Sequence, residues 1–257
     1  MRIDQLLVSR GLASTRSQAQ RLIASGVQWR SSGAWKRVAK NGDEVAPDAD
    51  IELLDRSEAR FVSRGGLKLE GALHQLNLLV AGAVCLDLGQ STGGFTDCLL
   101  QRGAAHVVGV DVGWGQLHAL LRSDPRVTCL ERVNARSLSV AEVLAALAES
   151  GHADVVQAPF DLIVGDLSFI SQTLVLPAAV PLLKPAGAVL MLVKPQFELQ
   201  PGQVGKGGIV TDTRLYAVVE QRLRATHATL GLTVQAFFES PIHGGDGNRE
   251  FFIYSVR

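Results

Sequence analysis

Cysteine is scarce in this chain. Cys85, Cys98 and Cys129 are its three cysteines in 257 residues, and no two share the spacing of a zinc ligand pair. A disulfide framework is excluded as the basis of the fold, no metal site is expected, and core thiols in a reducing compartment fit better. Long apolar runs are also missing. No stretch reaches the roughly 18 uninterrupted apolar residues that a membrane span requires. The opening Met1-Arg2-Ile3-Asp4-Gln5 is polar and no cleavage pattern follows it, so a cytoplasmic protein without membrane association is expected. Net charge is zero, which by itself predicts no polyanionic partner. With 47% hydrophobic residues, the chain is long enough for one large core and a small accessory module.

What is present is unevenly divided. Residues 1–40 carry eight basic residues, Arg2, Arg10, Arg16, Arg21, Arg30, Lys36, Arg37 and Lys40, against the single acid Asp4, a surplus of seven. Such asymmetry marks a basic module on a near-neutral body. Ile3, Leu6 and Leu7 have helical spacing, and Gly11 suits the left-handed position after that helix. Ser14 or Thr15 caps a second helix containing Ala19, Leu22 and Ile23 and closed by Gly26. Val27–Arg30 and Asp50–Leu54 read as strands. A basic face is often only solvated, yet this surplus favours phosphate contact by Arg2, Arg10, Arg16 and Arg21, with Arg64 just beyond the module. Residues 1–58 form the module, 59–62 the linker, and 63–257 the second domain.

From residue 63 the pattern changes. Leu69, Ala72, Leu73 and Leu76 predict an amphipathic helix over 65–77. Strands then alternate with helices: Val84–Leu88, helix 94–102, Val107–Asp111, helix 115–122, Val127–Leu130, helix 139–149, Phe160–Gly165, helix 173–183, Ala188–Val193 and helix 212–229. This alternation predicts right-handed βαβ units and a parallel sheet. Thr233–Glu239, a glycine-rich turn at 244–247 and Glu250–Val256 predict an antiparallel terminal hairpin. The fold class is α/β, a mostly parallel seven-stranded Rossmann-like sheet preceded by a small α+β module.

Ligands of open α/β sheets bind at the carboxyl ends of the strands. Asp87, Gly89, Ser91, Thr92, Gly93, Gly94 and Phe95 fill such a turn, with glycines where a ligand must approach the backbone and a helix N-terminus behind them. Their spacing is not G-x-G-x-x-G, so the dinucleotide fingerprint is absent. Asp111 ends the next strand, where an acid can bond both hydroxyls of a ribose; the structural alternative is a helix cap. Asn134, after the third strand, is a candidate for an adenine contact, with a plain turn as its alternative.

Four more polar residues stand at ends of core elements: Lys68, Asp166, Lys194 and Glu250. Topology predicts that they meet at one rim of the sheet. A structural ion-pair cluster would explain them, since buried lysines must be paired. The catalytic alternative is a lysine held near carboxylates that directs and accepts the proton of a weak hydroxyl nucleophile, or stabilises the developing alkoxide. An amine target would require an Asn/Asp-Pro-Pro-Tyr-type loop, and here the sequence is Asp166-Leu167-Ser168-Phe169.

Two resemblances bear on these residues. Arg2-Ile3-Asp4-Gln5-Leu6-Leu7, Thr15-Arg16-Ser17-Gln18-Ala19 and Leu22-Ile23-Ala24-Ser25-Gly26 resemble an S4-type RNA-binding domain, although the hairpin Trp29–Trp35 departs from that domain's usual turn. Lys68, Asp166, Lys194 and Glu250 resemble the Lys-Asp-Lys-Glu tetrad of FtsJ-related 2′-O-ribose methyltransferases. Ser63–Leu69, Ser91–Thr96, Gly165–Ser171, Val193–Glu198 and Gly247–Phe252 are similar in order to the TlyA family, over nearly the whole chain. The resemblance implies an S-adenosylmethionine-dependent ribosomal RNA (cytidine-2′-O)-methyltransferase. Asp87 would then face the methionine end of the cofactor, and ribosomal RNA or ribosomal subunits would be the partner. Because this family often carries a haemolysin label, pore formation is a competing expectation; a non-catalytic ribosome-assembly factor is another.

Overall fold

The computed structural model describes residues 1–13, 15–55, 60–149, 160–242, 244 and 247–257. The chain divides into two compact units, Met1–Leu67 and Lys68–Arg257.

In the first unit, α1 (Ile3–Ser9) and α2 (Arg16–Gly26) precede a three-stranded antiparallel sheet of β1 (Val27–Arg30), β2 (Lys36–Arg37) and β3 (Asp50–Leu53), in the order β2-β1-β3. Thr15 caps α2 by accepting from the Gln18 amide at 3.1 Å, as its position predicts. Ile3, Leu6, Leu7, Ala19, Leu22 and Ile23 are buried together with Val27, Val38 and Val45. The helical spacing read from the sequence is therefore the inner face of both helices.

The division between units falls within α3 (Arg64–Gln75). Then follow β4 (Val84–Leu88), α4 (Gly94–Gln101), β5 (His106–Asp111), α5 (Ala119–Arg122), β6 (Val127–Glu131), α6 (Val140–Glu149), β7 (Phe160–Gly165), α7 (Gln172–Ala179), β8 (Leu183–Val193), α8 (Pro195–Glu198), α9 (Arg214–Thr229), β9 (Thr233–Glu239) and β10 (Phe251–Val256). The sheet runs β6-β5-β4-β7-β8-β10-β9. β4 to β8 are parallel, and β10 is antiparallel to both β8 and β9. The strand order reverses between β4 and β7, so a crevice opens at the carboxyl ends of those two strands. The strands are largely apolar, as a sheet buried on both faces requires: Leu86, Val108, Ile163 and Val189 are each 0% exposed. Among the described residues no helix is long and apolar enough to cross a membrane.

Four expected elements differ. Only Ala119–Arg122 of the predicted helix 115–122 is helical. Gly115 takes φ +70° and gives its amide to Glu131 on the next strand, while the Gly113 amide turns back to the neighbouring Asp111, so side-chain acceptors hold 113–115 as a loop. The predicted helix 173–183 ends at Ala179 and tightens to a 3-10 turn over Val180–Leu182, where Pro181 has no amide to continue the ladder. β8 then starts at Leu183 rather than Ala188, because Leu183 pairs with Phe160 across an irregularity in the register. Glu250 lies just before β10 instead of opening it. The expected turn at 244–247 falls partly outside the described residues.

Candidate active site

The turn after β4 builds one wall of a cavity of about 490 Å³, within the size range of small-molecule sites. Gly89, Ser91, Asp111, Gln116, Asn134 and Asp166 are among its lining. Gly89 has φ +79°, and a Cβ there would approach the Asp166 carbonyl oxygen to 3.1 Å; glycine is needed on both counts. Ser91 also has positive φ (49°), and its amide donates to Asp111 Oδ2 at 2.7 Å. Asp111 Oδ1 accepts from the Gly113 amide at 2.6 Å. Two backbone donors thus fix the Asp111 carboxylate in the cavity wall, and each oxygen keeps acceptor capacity for a ligand.

The other turn residues have different surroundings. Gly93 has φ +93° as the residue before α4, and a Cβ there would overlap Leu117 and Leu121. Thr92 accepts from the His118 amide, Gly94 opens α4, and Phe95 is buried with its ring 6.3 Å from that of Phe252. These four seat the helix behind the turn. Asn134 combines the two readings given to it: it lines the cavity, and its side chain accepts from the Arg136 amide at 3.0 Å.

Asp87 is 1% exposed beneath the turn. Its Oδ2 accepts from the Thr96 hydroxyl at 2.7 Å, and its Oδ1 makes no hydrogen bond. Among the described residues no basic side chain pairs with it. Burial pushes its carboxyl up to about 7; bonds from Thr96 oppose that rise, and the negative charges of Asp166 and Asp111 add to it. A buried carboxylate with a spare acceptor and no cation fits a ligand that brings a positive charge.

At the same rim, the four candidate residues form two ion pairs. Lys68 Nζ lies 2.5 Å from Glu250 Oε2, with side chains 9% and 3% exposed. Lys194 Nζ lies 2.6 Å from Asp166 Oδ1, with side chains 13% and 24% exposed, and it donates to Ser168 Oγ at 2.8 Å. Burial raises the Glu250 carboxyl above the usual range, while Lys68, and more weakly Lys194, pull it back. The inner pair is sealed. Of the outer pair, Asp166 lines the cavity together with Ser168, and Lys194 stands behind them, bonded to both. Ser168 is a contact that strand-end reasoning missed; its place two residues after Asp166 was the available signal. Phe169 is 90% exposed at φ +63°, its ring 4.9 Å from that of Phe197.

The basic residues of the first unit are less free than their count implied. Arg2 and Arg16 both bind Asp4, which is 0% exposed, at 3.0 and 2.8 Å. The Arg2 hydrogen bonds hold the Asp4 carboxyl well below the usual range. Arg10 donates to the carbonyls of Ala49 and Pro47, and Arg21 to that of Ser17. Arg64 opens α3.

A doubly wound sheet with a reversed terminal strand, a glycine-turn cavity and a Lys-Asp-Lys-Glu rim define the class as a Rossmann-like methyltransferase. The FtsJ-like methyltransferase family matches residues 61–257 and the S4 domain matches residues 1–26. The chain belongs to the FtsJ-like methyltransferase family, in the group that carries an S4 domain. It is 44% identical to the 16S/23S rRNA (cytidine-2′-O)-methyltransferase TlyA of Mycobacterium tuberculosis, over 98% of this chain and 88% of that one. It is 34% identical to Hemolysin A of Brachyspira hyodysenteriae, covering the whole of both. A solved hemolysin-named structure from Streptococcus thermophilus is 38% identical, with a TM-score of 0.74, over 100% of this chain and 88% of that one.

Proposed function

We propose that this protein methylates the 2′-hydroxyl of a cytidine in ribosomal RNA, with S-adenosylmethionine as methyl donor. The observation that carries the reading is the asymmetry of the two lysine–carboxylate pairs. Lys68–Glu250 is sealed, whereas Lys194 is bonded to Asp166 and Ser168, which both line the cavity. The likeness to the mycobacterial enzyme supports the substrate class.

The residues present suit the donor. Asp111, fixed by two amides, offers its remaining lone pairs to a ribose diol, and Asn134 stands beside it for the base. Asp87 offers buried negative charge to the amino-acid end. The sulfonium of the donor supplies an electrophilic methyl group. A ribose hydroxyl is a weak nucleophile, so the chain must direct it and take its proton. Lys194 does both: its Nζ orients the hydroxyl, and in the amine form it accepts the proton, leaving an ammonium that Asp166 holds. Such general-base help contributes roughly 10²–10⁴-fold, beyond what alignment of the reactants supplies. Residues 1–58 serve to dock RNA and residues 63–257 to transfer the methyl group, and work on ribosomal RNA puts the protein in the cytoplasm.

The test is methyl transfer to ribosomal subunits prepared from cells lacking this protein, with nucleosides identified by mass spectrometry. The expected product is 2′-O-methylcytidine. Label in a base, or in no RNA, overturns the reading. Erythrocyte lysis by the purified protein without methyl transfer would put the haemolysin reading in its place.

A further inference from the structure

One helical turn beyond Lys194 lies a carboxylate that the proposed chemistry does not use. Glu198 closes α8, whose N-cap is Lys194, and it is 4% exposed. Its Oε2 accepts from the Ser171 hydroxyl at 2.5 Å and from Arg222 Nη2 at 2.6 Å, and its Oε1 accepts from the Gln172 amide at 2.9 Å. Arg222 also donates to the Glu198 carbonyl. Ser171 and Gln172 begin α7, directly after the loop that runs from Asp166 through Ser168. One carboxylate therefore ties the segment carrying Lys194 to the segment carrying its two acceptors.

That loop needs the tie. Phe169 sits at φ +63°, a conformation that a bulky residue holds only when its surroundings over-determine it. At one end the Asp166 amide is bonded to the Leu88 carbonyl at 3.1 Å. At the other end stand the bonds to Glu198, with Phe197 of the same helical turn against the Phe169 ring. A carboxylate suits the place because it only accepts, and all its partners here donate. It also meets the amide end of α7, where negative charge is favoured. Burial raises its carboxyl while Ser171, Gln172 and Arg222 hold it back, so the group stays buried at the cost of an exacting set of partners.

We propose that Glu198 is a positioning residue for methyl transfer: it clamps the 167–171 loop to α8 so that Lys194 Nζ meets Asp166 and Ser168 together. The consequence for rate rests on the reaction proposed for the tetrad; the consequence for Lys194 geometry does not.

Glu198→Gln keeps the shape and replaces one acceptor by a donor. Three readings are taken on the full chain: S-adenosylhomocysteine affinity by calorimetry, single-turnover methyl transfer per folded molecule, and the rate of reductive methylation of Lys194, read by peptide mass spectrometry with Lys184 as the internal standard. Cofactor affinity should be unchanged. Transfer should fall by about 10–100-fold, the scale of a displacement near 1 Å at a reacting group. Lys194 should label several-fold faster than in wild type as its acceptors move away. Ser171→Ala, which removes one bond of the clamp, should move both readings the same way by less, and it carries the test if the glutamine variant does not fold. Unchanged Lys194 labelling in either folded variant overturns the proposal. So does a loss of transfer that only follows a fall in melting temperature and cofactor affinity together. Should wild type transfer nothing, the reaction assigned to the tetrad fails, while the labelling still decides whether Glu198 positions Lys194.

Discussion

Replacing Asp87 by asparagine should make the free protein more stable and the cofactor complex weaker. Asp87 is 1% exposed and its carboxyl is pushed from 3.8 up to about 7. Three pKa units at about 1.4 kcal/mol each amount to about 4 kcal/mol against the ionised folded form. The sign follows from the folded value lying above the unfolded one. This contribution to stability is complete below pH 3.8 and is lost as pH rises to about 7. Asparagine does not titrate, and its oxygen can still accept from Thr96. Its amide would stand where Oδ1 now has no partner, an unsatisfied donor costing about 1–3 kcal/mol. The net gain at pH 8 is about 2 kcal/mol, worth about 4–8 °C in melting temperature for a unit of this size. At pH 5 the aspartate penalty falls to about 2 kcal/mol and the two variants should melt nearly together. S-adenosylhomocysteine should bind Asp87→Asn more weakly by about 1.5–3 kcal/mol, the scale of a hydrogen bond to a charged group. In wild type, affinity should rise with pH up to about 7 as the carboxyl ionises, and in the variant it should stay flat. Melting curves at pH 5 and pH 8, with calorimetry across that range, read all of this. A variant that melts below wild type at pH 8, or that binds S-adenosylhomocysteine equally well, would refute the reasoning.

Asp111→Ala removes an acceptor already oriented by the Ser91 and Gly113 amides, so cofactor affinity should fall by about 1.5–3 kcal/mol; unchanged calorimetric affinity would remove Asp111 from the site. The two lysines should separate. Lys68→Ala leaves Glu250 buried without its partner and should cost about 3–5 kcal/mol by denaturant titration. Lys194→Ala leaves Asp166 in reach of water, so stability should change by about 1 kcal/mol or less while methyl transfer falls by about 10²–10⁴-fold. Lys194→Arg should not restore transfer, since a guanidinium cannot take up a proton. A reversed pattern between the two lysines would make the outer pair structural. In the first unit, Arg21→Ala should reduce the salt dependence of RNA binding by about 0.7–0.9 for one phosphate contact. Arg10→Ala, which strips the donors from the Ala49 and Pro47 carbonyls, should instead lower the melting temperature, and equal effects on RNA binding would count against that division.

Much of the fold and several pieces of the candidate site were legible in the order of residues. β-branched strand cores alternating with amphipathic helices specify a parallel sheet, because both faces of each strand must be covered. Val84–Leu88, Phe160–Gly165 and Thr233–Glu239 begin and end where apolar alternation says they should. The glycine turn and the acid ending β5 were visible for the same local reason: φ above zero at Gly89 and a carboxylate at a strand's carboxyl end are written in single positions. What failed locally failed through side-chain acceptors. The expected helix 115–122 does not start at Gly115, because the Glu131 carboxylate takes that amide and Asp111 takes the amide of Gly113 just before it. Arg2 and Arg16 look like free phosphate ligands until Asp4 is found buried between them.

By itself the sequence determined which charged residues stand at strand ends and that they must be neutralised there, since an unpaired charge on a core strand costs too much to keep. Only the tertiary structure decided the pairing. Lys68 and Glu250 lie 182 residues apart, and nothing in their neighbourhoods says that this lysine takes that acid rather than Asp166. Sheet order brings the end of β7 beside the end of β8, so Asp166 meets Lys194, and the antiparallel return of β10 carries Glu250 to the sealed side of the rim. Burial then differs between the pairs: Lys68 and Glu250 are enclosed, while Asp166 of the other pair stays a quarter exposed beside Lys194.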